Sequence, residues 1–254
     1  MLLTPARVEL PVRHRIVYRL GAGMTENTRA LHDLREALNQ PGCPVCRLVE
    51  RDTGRYLDHL LWENVNDPGL RREIRRALGF CREHTRMLVS RPGASLGLAL
   101  IARDLWGEIQ RTTGTARLPA PKARRDRAAD LAAGLRARLT PEGECPACAY
   151  ARAMEDLYLD ILLERLQGEE SLLAAYQASE GLCLPHFRQV LTRVRDDGVY
   201  TALVEAQRAI GQRRLAELDE FIRKNDYRFR DEPWGQERDA WLRSLGALVG
   251  GLLP

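Results

Sequence analysis

The chain has 254 residues, 44% of them apolar and 29% charged, which is the composition of an ordinary folded protein and excludes disorder as the default. Its formal net charge is only +4, and acidic residues interrupt the basic ones almost everywhere, so counterion release gives no basis for binding nucleic acid. No run of about 18 apolar residues exists to span a membrane, and Arg7, Glu9, Arg13, His14 and Arg15 occupy the place where a secretory leader needs an apolar core.

These features point to the cytoplasm, where six cysteines stand for metal or redox chemistry rather than for disulfides. The basic excess is nearly all arginine, with lysine only at Lys122 and Lys224, a bias of coding composition. The first elements then follow in order. Val8, Leu10, Val12, Ile16, Tyr18 and Leu20 share one parity, which predicts an extended N-terminal arm or edge strand, with Pro11 excluding a central strand. A short helix is expected over 28–38, stopped by Asn39-Gln40-Pro41-Gly42.

From Pro44 onward, Val45, Leu48, Val49, Tyr56, Leu57, Leu60 and Leu61 recur at helical steps. Asp67-Pro68 has the chemistry of a helix start, and Gly79 that of a left-handed helix end. Cys81 and His84 follow. Helix spacing resumes through Leu98, Ile101, Leu105 and Ile109, and the Thr/Gly/Ala/Pro-rich stretch after Thr113 reads as a linker. A helix carrying Leu131, Leu135 and Leu139 leads into the second half. A long helix over 199–224 and a closing one with Trp241, Leu245, Leu248 and Val249 complete the chain.

One pattern is written twice. Cys43-Pro44-Val45-Cys46 with Cys81-Arg82-Glu83-His84 recurs as Cys145-Pro146-Ala147-Cys148 with Cys183-Leu184-Pro185-His186, at an offset of 102 positions and with 34 residues between the second and third cysteines of each copy. Tyr56-Leu57-Asp58 maps onto Tyr158-Leu159-Asp160, and Gly79 onto Gly181, so an internal duplication is the simplest cause. All six cysteines belong to the pattern.

Three thiolates and an imidazole are a common tetrahedral donor set for structural zinc, closed to water and substrate. An iron-sulfur cluster is the alternative metal reading of the same ligands. Two other readings compete: a CPxC redox dithiol, which lacks its usual βαβ setting, and cysteines that merely fill a core. The repeat favours a site within each half, Cys43, Cys46, Cys81 and His84 in one and Cys145, Cys148, Cys183 and His186 in the other; exchange between halves preserves the same counts. A helix of about 20 residues runs out roughly 30 Å and the return helix covers only about half of that, so the first helix must bend or the stretch from Glu63 to Gly69 must run back extended.

Other features have ordinary explanations. Arg71, Arg72, Arg75 and Arg76 fit a solvated helix face better than a phosphate-binding one. His14, His32 and His59 stand outside the pattern. The segment from Tyr227 to Trp234 suggests an aromatic plug in a helix interface, or alternatively a ligand-gripping loop. Asp58 and Asp160 suit hydrogen bonding to the ligand histidines. No catalytic set emerges, and an enzyme would need a pocket between the halves.

With Ile16 to Leu20, the paired CPxC and GxCxxH motifs, Leu96-Gly97-Leu98-Ala99-Leu100, Gly181 to Phe187 and Asp226 to Gly235 in view, the chain resembles an uncharacterised bacterial family of unknown function. The resemblance covers most of the length from Cys43 onward, departs mainly in the arginine-rich stretch from Arg124 to Arg138, and supports the ligand set without implying an activity. The expectation is an all-α duplicated repeat with two Cys3His sites: an arm and short helix over 1–42, repeat one over 43–113, a linker over 114–126 and repeat two over 127–254. Its expected role is that of a zinc-binding, non-catalytic binding or scaffold module for a protein or small molecule, with iron-sulfur electron transfer as the alternative.

Overall fold

A computed structural model describes residues 26–118, 126–229 and 231–251. The extended arm expected before residue 21 lies outside the described residues. Among the described residues the fold is all-α, with eleven α-helices, one 3-10 turn and no strand. None of these helices is long and apolar enough to cross a membrane.

The helices are α1 (Glu26–Leu38), α2 (Pro44–Trp62), α3 (Pro68–Arg76), α4 (Arg82–Val89), α5 (Ser95–Gly114), α6 (Asp126–Arg138), α7 (Pro146–Glu164), α8 (Leu173–Ala178), α9 (Leu184–Leu191), α10 (Asp197–Lys224) and α11 (Ala240–Val249). The duplication survives in them. Helices α2 and α7 have 19 residues each and begin 102 positions apart, as do the eight-residue α4 and α9. Their boundaries obey local chemistry. Asp67 caps α3 by accepting the Leu70 N–H at 2.7 Å, with Pro68 in the first turn. The left-handed turn closing α3 involves two residues, Leu78 (φ 51°) and Gly79 (φ 109°), whose N–H groups return to Arg75 and Ile74 and satisfy carbonyls at the helix end.

The chain forms two compact units, one from the residues up to Arg51 together with those from Ala153 on, the other Asp52–Arg152. The boundaries fall inside α2 and α7 and therefore cut across the two repeats. Compactness follows which faces bury each other, and a duplicated sequence does not dictate that.

In the first unit α10 is the spine, packing against α8 and α11, while α11 also meets α9 and α1 meets α8. Leu34, Leu159, Leu162, Leu166, Leu172, Tyr176 and Leu203 are fully buried, each apolar side chain contributing on the order of 1.5–3 kcal/mol relative to exposure. In the second unit α5 packs on α3, α4 and α6 over buried Leu57, Leu60, Leu70, Ile74, Leu88 and Ile101. Two of the four arginines on α3 are spent internally. Arg75 grips Asp104 of α5 through both carboxylate oxygens, at 2.9 and 2.8 Å, and Arg71 donates to the Val65 and Leu100 carbonyls.

The C-terminal aromatic segment does not form the interface plug expected of it. Tyr227 is 81% exposed and Trp234 42%. Ion pairs hold the segment instead: Arg223 bridges Glu220 and Glu232, Lys224 binds Glu237 at 2.6 Å, and Glu237 accepts the Gly235 N–H at 2.8 Å. Arg223 also stacks over Phe229, and Phe221 leans on Trp234 at 5.6 Å.

Candidate metal centres

All eight cysteine and histidine residues of the repeated pattern fall into two groups of four. Cys43, Cys46, Cys183 and His186 form one, and Cys81, His84, Cys145 and Cys148 the other, with the donor atoms of each group within 4.8 Å of one another. This corrects the within-repeat pairing: each CPxC meets the CxxH of the other copy. The physical reason is the length mismatch between helices. Helix α2 advances about 28 Å over its 19 residues and α3 recovers only about 14 Å, so the helical return alone leaves Cys81 well short of the start of α2.

Every one of the eight sits at or within the first turn of a helix. Cys43 and Cys145 directly precede α2 and α7, their carbonyls accepting from Arg47 at 3.2 Å and Ala149 at 3.0 Å, while Cys46 and Cys148 lie in the first turn. Pro44 and Pro146 fix a backbone dihedral there and need no N–H partner. Cys81 and Cys183 are the N-cap residues of α4 and α9, which puts His84 and His186 one turn further on. Each group thus gathers two helix N-termini, whose partial positive charge favours thiolates.

The distances suit a single ion. His186 Nδ1 lies 3.4, 3.3 and 3.2 Å from the sulfurs of Cys43, Cys46 and Cys183, and the last two sulfurs are 3.6 Å apart. In the other group His84 Nδ1 lies 3.1, 3.6 and 3.4 Å from Cys81, Cys145 and Cys148, with Cys81 and Cys148 3.6 Å apart. Metal–sulfur bonds of about 2.3 Å and metal–nitrogen bonds of about 2.0 Å in a tetrahedron give edges of about 3.8 and 3.5 Å, within a few tenths of these values. All six cysteines are free, and the measured sulfur separations far exceed a disulfide's roughly 2.05 Å.

The surroundings set the charge on such a cluster. Burial pushes the Cys43 thiol well above its usual value, and burial together with Cys81 and Cys145 takes Cys148 up to about 12. Hydrogen bonds from Cys43 and Cys46 drive Cys183 strongly the other way. Burial opposes a charge on His186, yet Cys183, Cys46 and Glu155 outweigh it and hold the imidazolium up to about 11. Without an ion, the Cys183 thiolate and the His186 imidazolium share charge across the group. A divalent ion lets three thiolates coexist beside a neutral imidazole.

The two groups differ in their support. Around the first, His186 Nε2 faces Glu155 Oε1 at 3.5 Å, an arrangement that fixes the ring so that Nδ1 points at the sulfurs. The Gly251 N–H donates to the Cys46 sulfur at 3.2 Å. Gly250 (φ 83°) brings backbone so close that a β-carbon there would stand 3.5 Å from the Cys183 sulfur. Neither Glu155 nor this glycine pair is marked in the sequence beyond two adjacent glycines after the last helix. Glu155 falls opposite Thr53 in the repeat, so comparing the copies directs attention away from it.

Asp58 and Asp160 do not serve the histidines as expected. Asp58 pairs with Arg91 at 2.5 Å and Asp160 with Arg193 at 2.9 Å, and the two arginines are themselves 102 residues apart. Arg193 also binds Asp156, and Arg91 donates to the Gly54 carbonyl at 2.8 Å. The extra histidines remain peripheral: His59 pairs with Glu63 at 3.1 Å, and His14 lies outside the described residues. His32, Asp33 and Glu36 also cluster within 4.8 Å on an α1 face, but Asp33 is taken by Arg51 at 2.6 Å.

The fold and these two groups define an all-α protein with paired Cys3His sets able to hold metal ions. The chain belongs to the family of unknown function DUF6062, whose model matches residues 28–253. It is also similar to the "Uncharacterized 23.9 kDa protein in xynA 3'region" of Caldicellulosiruptor sp. (strain Rt8B.4), with 26% identity over 193 residues, covering 76% of this chain and 87% of the relative. No solved structure matches the chain.

Proposed function

We propose that this is a cytoplasmic, non-catalytic binding or scaffold protein whose helical body is pinned by two structural zinc ions, one held by Cys43, Cys46, Cys183 and His186 and the other by Cys81, His84, Cys145 and Cys148. The observation that carries this reading is the convergence of three sulfurs and one imidazole nitrogen, twice, within 4.8 Å. Four protein donors fill a tetrahedral ion and leave no position for a substrate, which suits structure rather than catalysis. Their compactness favours one ion over an iron-sulfur cluster, whose several irons stand between the ligands and spread them apart. The joining of residues far apart in sequence gives each ion a long loop to close.

The deciding experiment is elemental analysis of protein purified without oxygen, together with its visible spectrum. Two zinc per chain and a colourless solution are expected. Iron with labile sulfide and a brown colour replaces the zinc reading with the electron-transfer one, and less than one metal per chain rejects both.

A further inference from the structure

We propose that the centre formed by Cys81, His84, Cys145 and Cys148 is a peroxide-sensitive modification site, which releases its metal by forming a Cys81–Cys148 disulfide while the other centre keeps its ion. This rests on the reading of both groups as closed metal sites. Cys43, Cys46, Cys183 and His186 are only 6%, 9%, 1% and 6% exposed, whereas all four members of the other group are partly open to solvent. The buried centre is further shielded: Gly251 donates to the Cys46 sulfur, Gly250 covers Cys183, and Glu155 braces His186. At the open centre the repeat position of that carboxylate is Thr53, which cannot supply a charged brace.

Metal-bound thiolates remain nucleophiles when an oxidant can reach them. The Cys148 sulfur attacks one peroxide oxygen, the O–O bond breaks, and a sulfenic acid forms as hydroxide leaves and is protonated to water. The Cys81 thiolate, 3.6 Å away, then attacks that sulfur. An S–S bond forms, the S–O bond breaks, and the oxygen leaves as a second water. Two thiolates lose two electrons, hydrogen peroxide gains them, and the ion loses two of its four ligands. Closing the pair needs a shift of about 1.5 Å, within reach of rotations at two helix starts.

The test treats the intact, metal-loaded protein with one equivalent of hydrogen peroxide per chain. Released zinc is followed with a chromogenic chelator, and peptide mapping under non-reducing conditions locates the oxidised cysteines. The expected result is release of one zinc per chain at a rate about tenfold or more above the second, a Cys81–Cys148 linked peptide, and Cys43, Cys46 and Cys183 still reduced. Addition of dithiothreitol and zinc should restore the starting metal content. Release of both ions at one rate, first loss from the Cys43 group, or oxidation without a Cys81–Cys148 bond overturns the proposal. Metal content before peroxide separates the two failures: two zinc per chain with unselective release defeats only the switch, while fewer than two defeats the underlying reading as well.

Discussion

Glu155 is the side chain that most distinguishes the two centres, since its carboxylate faces His186 Nε2 at 3.5 Å from the far side of the ring. Replacing it with glutamine should weaken zinc at the buried centre by about 10- to 100-fold and leave the other unchanged. Competition with a chelator of known affinity would read this as two separable steps, and unaltered affinity at the buried centre would remove Glu155 from the design. Glu237 makes a second case. The Lys224 ammonium, then the Gly235 N–H, hold its carboxyl at about 2, below the usual 4.5. A depressed carboxyl stabilises the fold above its unfolded value and loses that contribution as pH falls toward 2. Glu237→Gln should therefore lower the melting temperature at pH 7, with the gap to wild type closing between pH 4.5 and 2; a constant gap across that range would dismiss the ion pair. Legibility at this scale was uneven. The eight cysteines and histidines that cluster could be picked out from the sequence, because donor chemistry and spacing are local. Glu155 and the Gly250–Gly251 approach could not, because their meaning comes only from what the fold places beside them.

At the level of helices, the repeated Tyr-Leu-Asp triplet proves to be half of a strut. Asp58 of α2 and Asp160 of α7 each hold the arginine that follows the next helix of the CxxH motif, Arg91 after α4 and Arg193 after α9. The sequence showed the repeated aspartates but not their purpose, since charge pairing over 33 residues leaves no periodic trace. Arg193 is the better test because its side chain is only 25% exposed and meets two carboxylates. Arg193→Ala should cost about 2 kcal/mol in denaturant unfolding, and Asp160→Ala added to it should cost less than the sum of the two single changes. Strict additivity would show that the strut carries no coupling. Helix boundaries were legible to within a few residues because caps and glycines announce them. Which CPxC meets which CxxH was not legible: the helix lengths, 19 residues out and 9 back, left both a bent helix and an extended return open, and the symmetry of the repeat suggested the opposite pairing.

Across the whole molecule, the two Cys3His groups bring together parts of the chain that local signals never connect. The buried centre joins residues 137 to 143 positions apart, and the open centre residues 61 to 67 apart, both counted across the repeats. Loop closure grows only slowly with length, so the larger loop accounts for no more than about 0.7 kcal/mol of difference between them. The dominant quantity is the binding energy itself. Structural zinc in small domains is worth about 10–16 kcal/mol, as much as the roughly 5–15 kcal/mol by which an entire domain is stable. The helices supply many buried leucines, but the starts of α2, α4, α7 and α9 converge on clustered sulfurs whose charges repel once deprotonated. Removing both ions should therefore abolish cooperative unfolding rather than merely lower its midpoint, with far-ultraviolet circular dichroism retaining part of its helical signal. A strong chelator under reducing conditions, with residual metal measured on the same sample, makes the comparison. If the metal is gone and the thermal transition keeps its midpoint and sharpness, packing alone holds each unit together and the ions serve some other purpose.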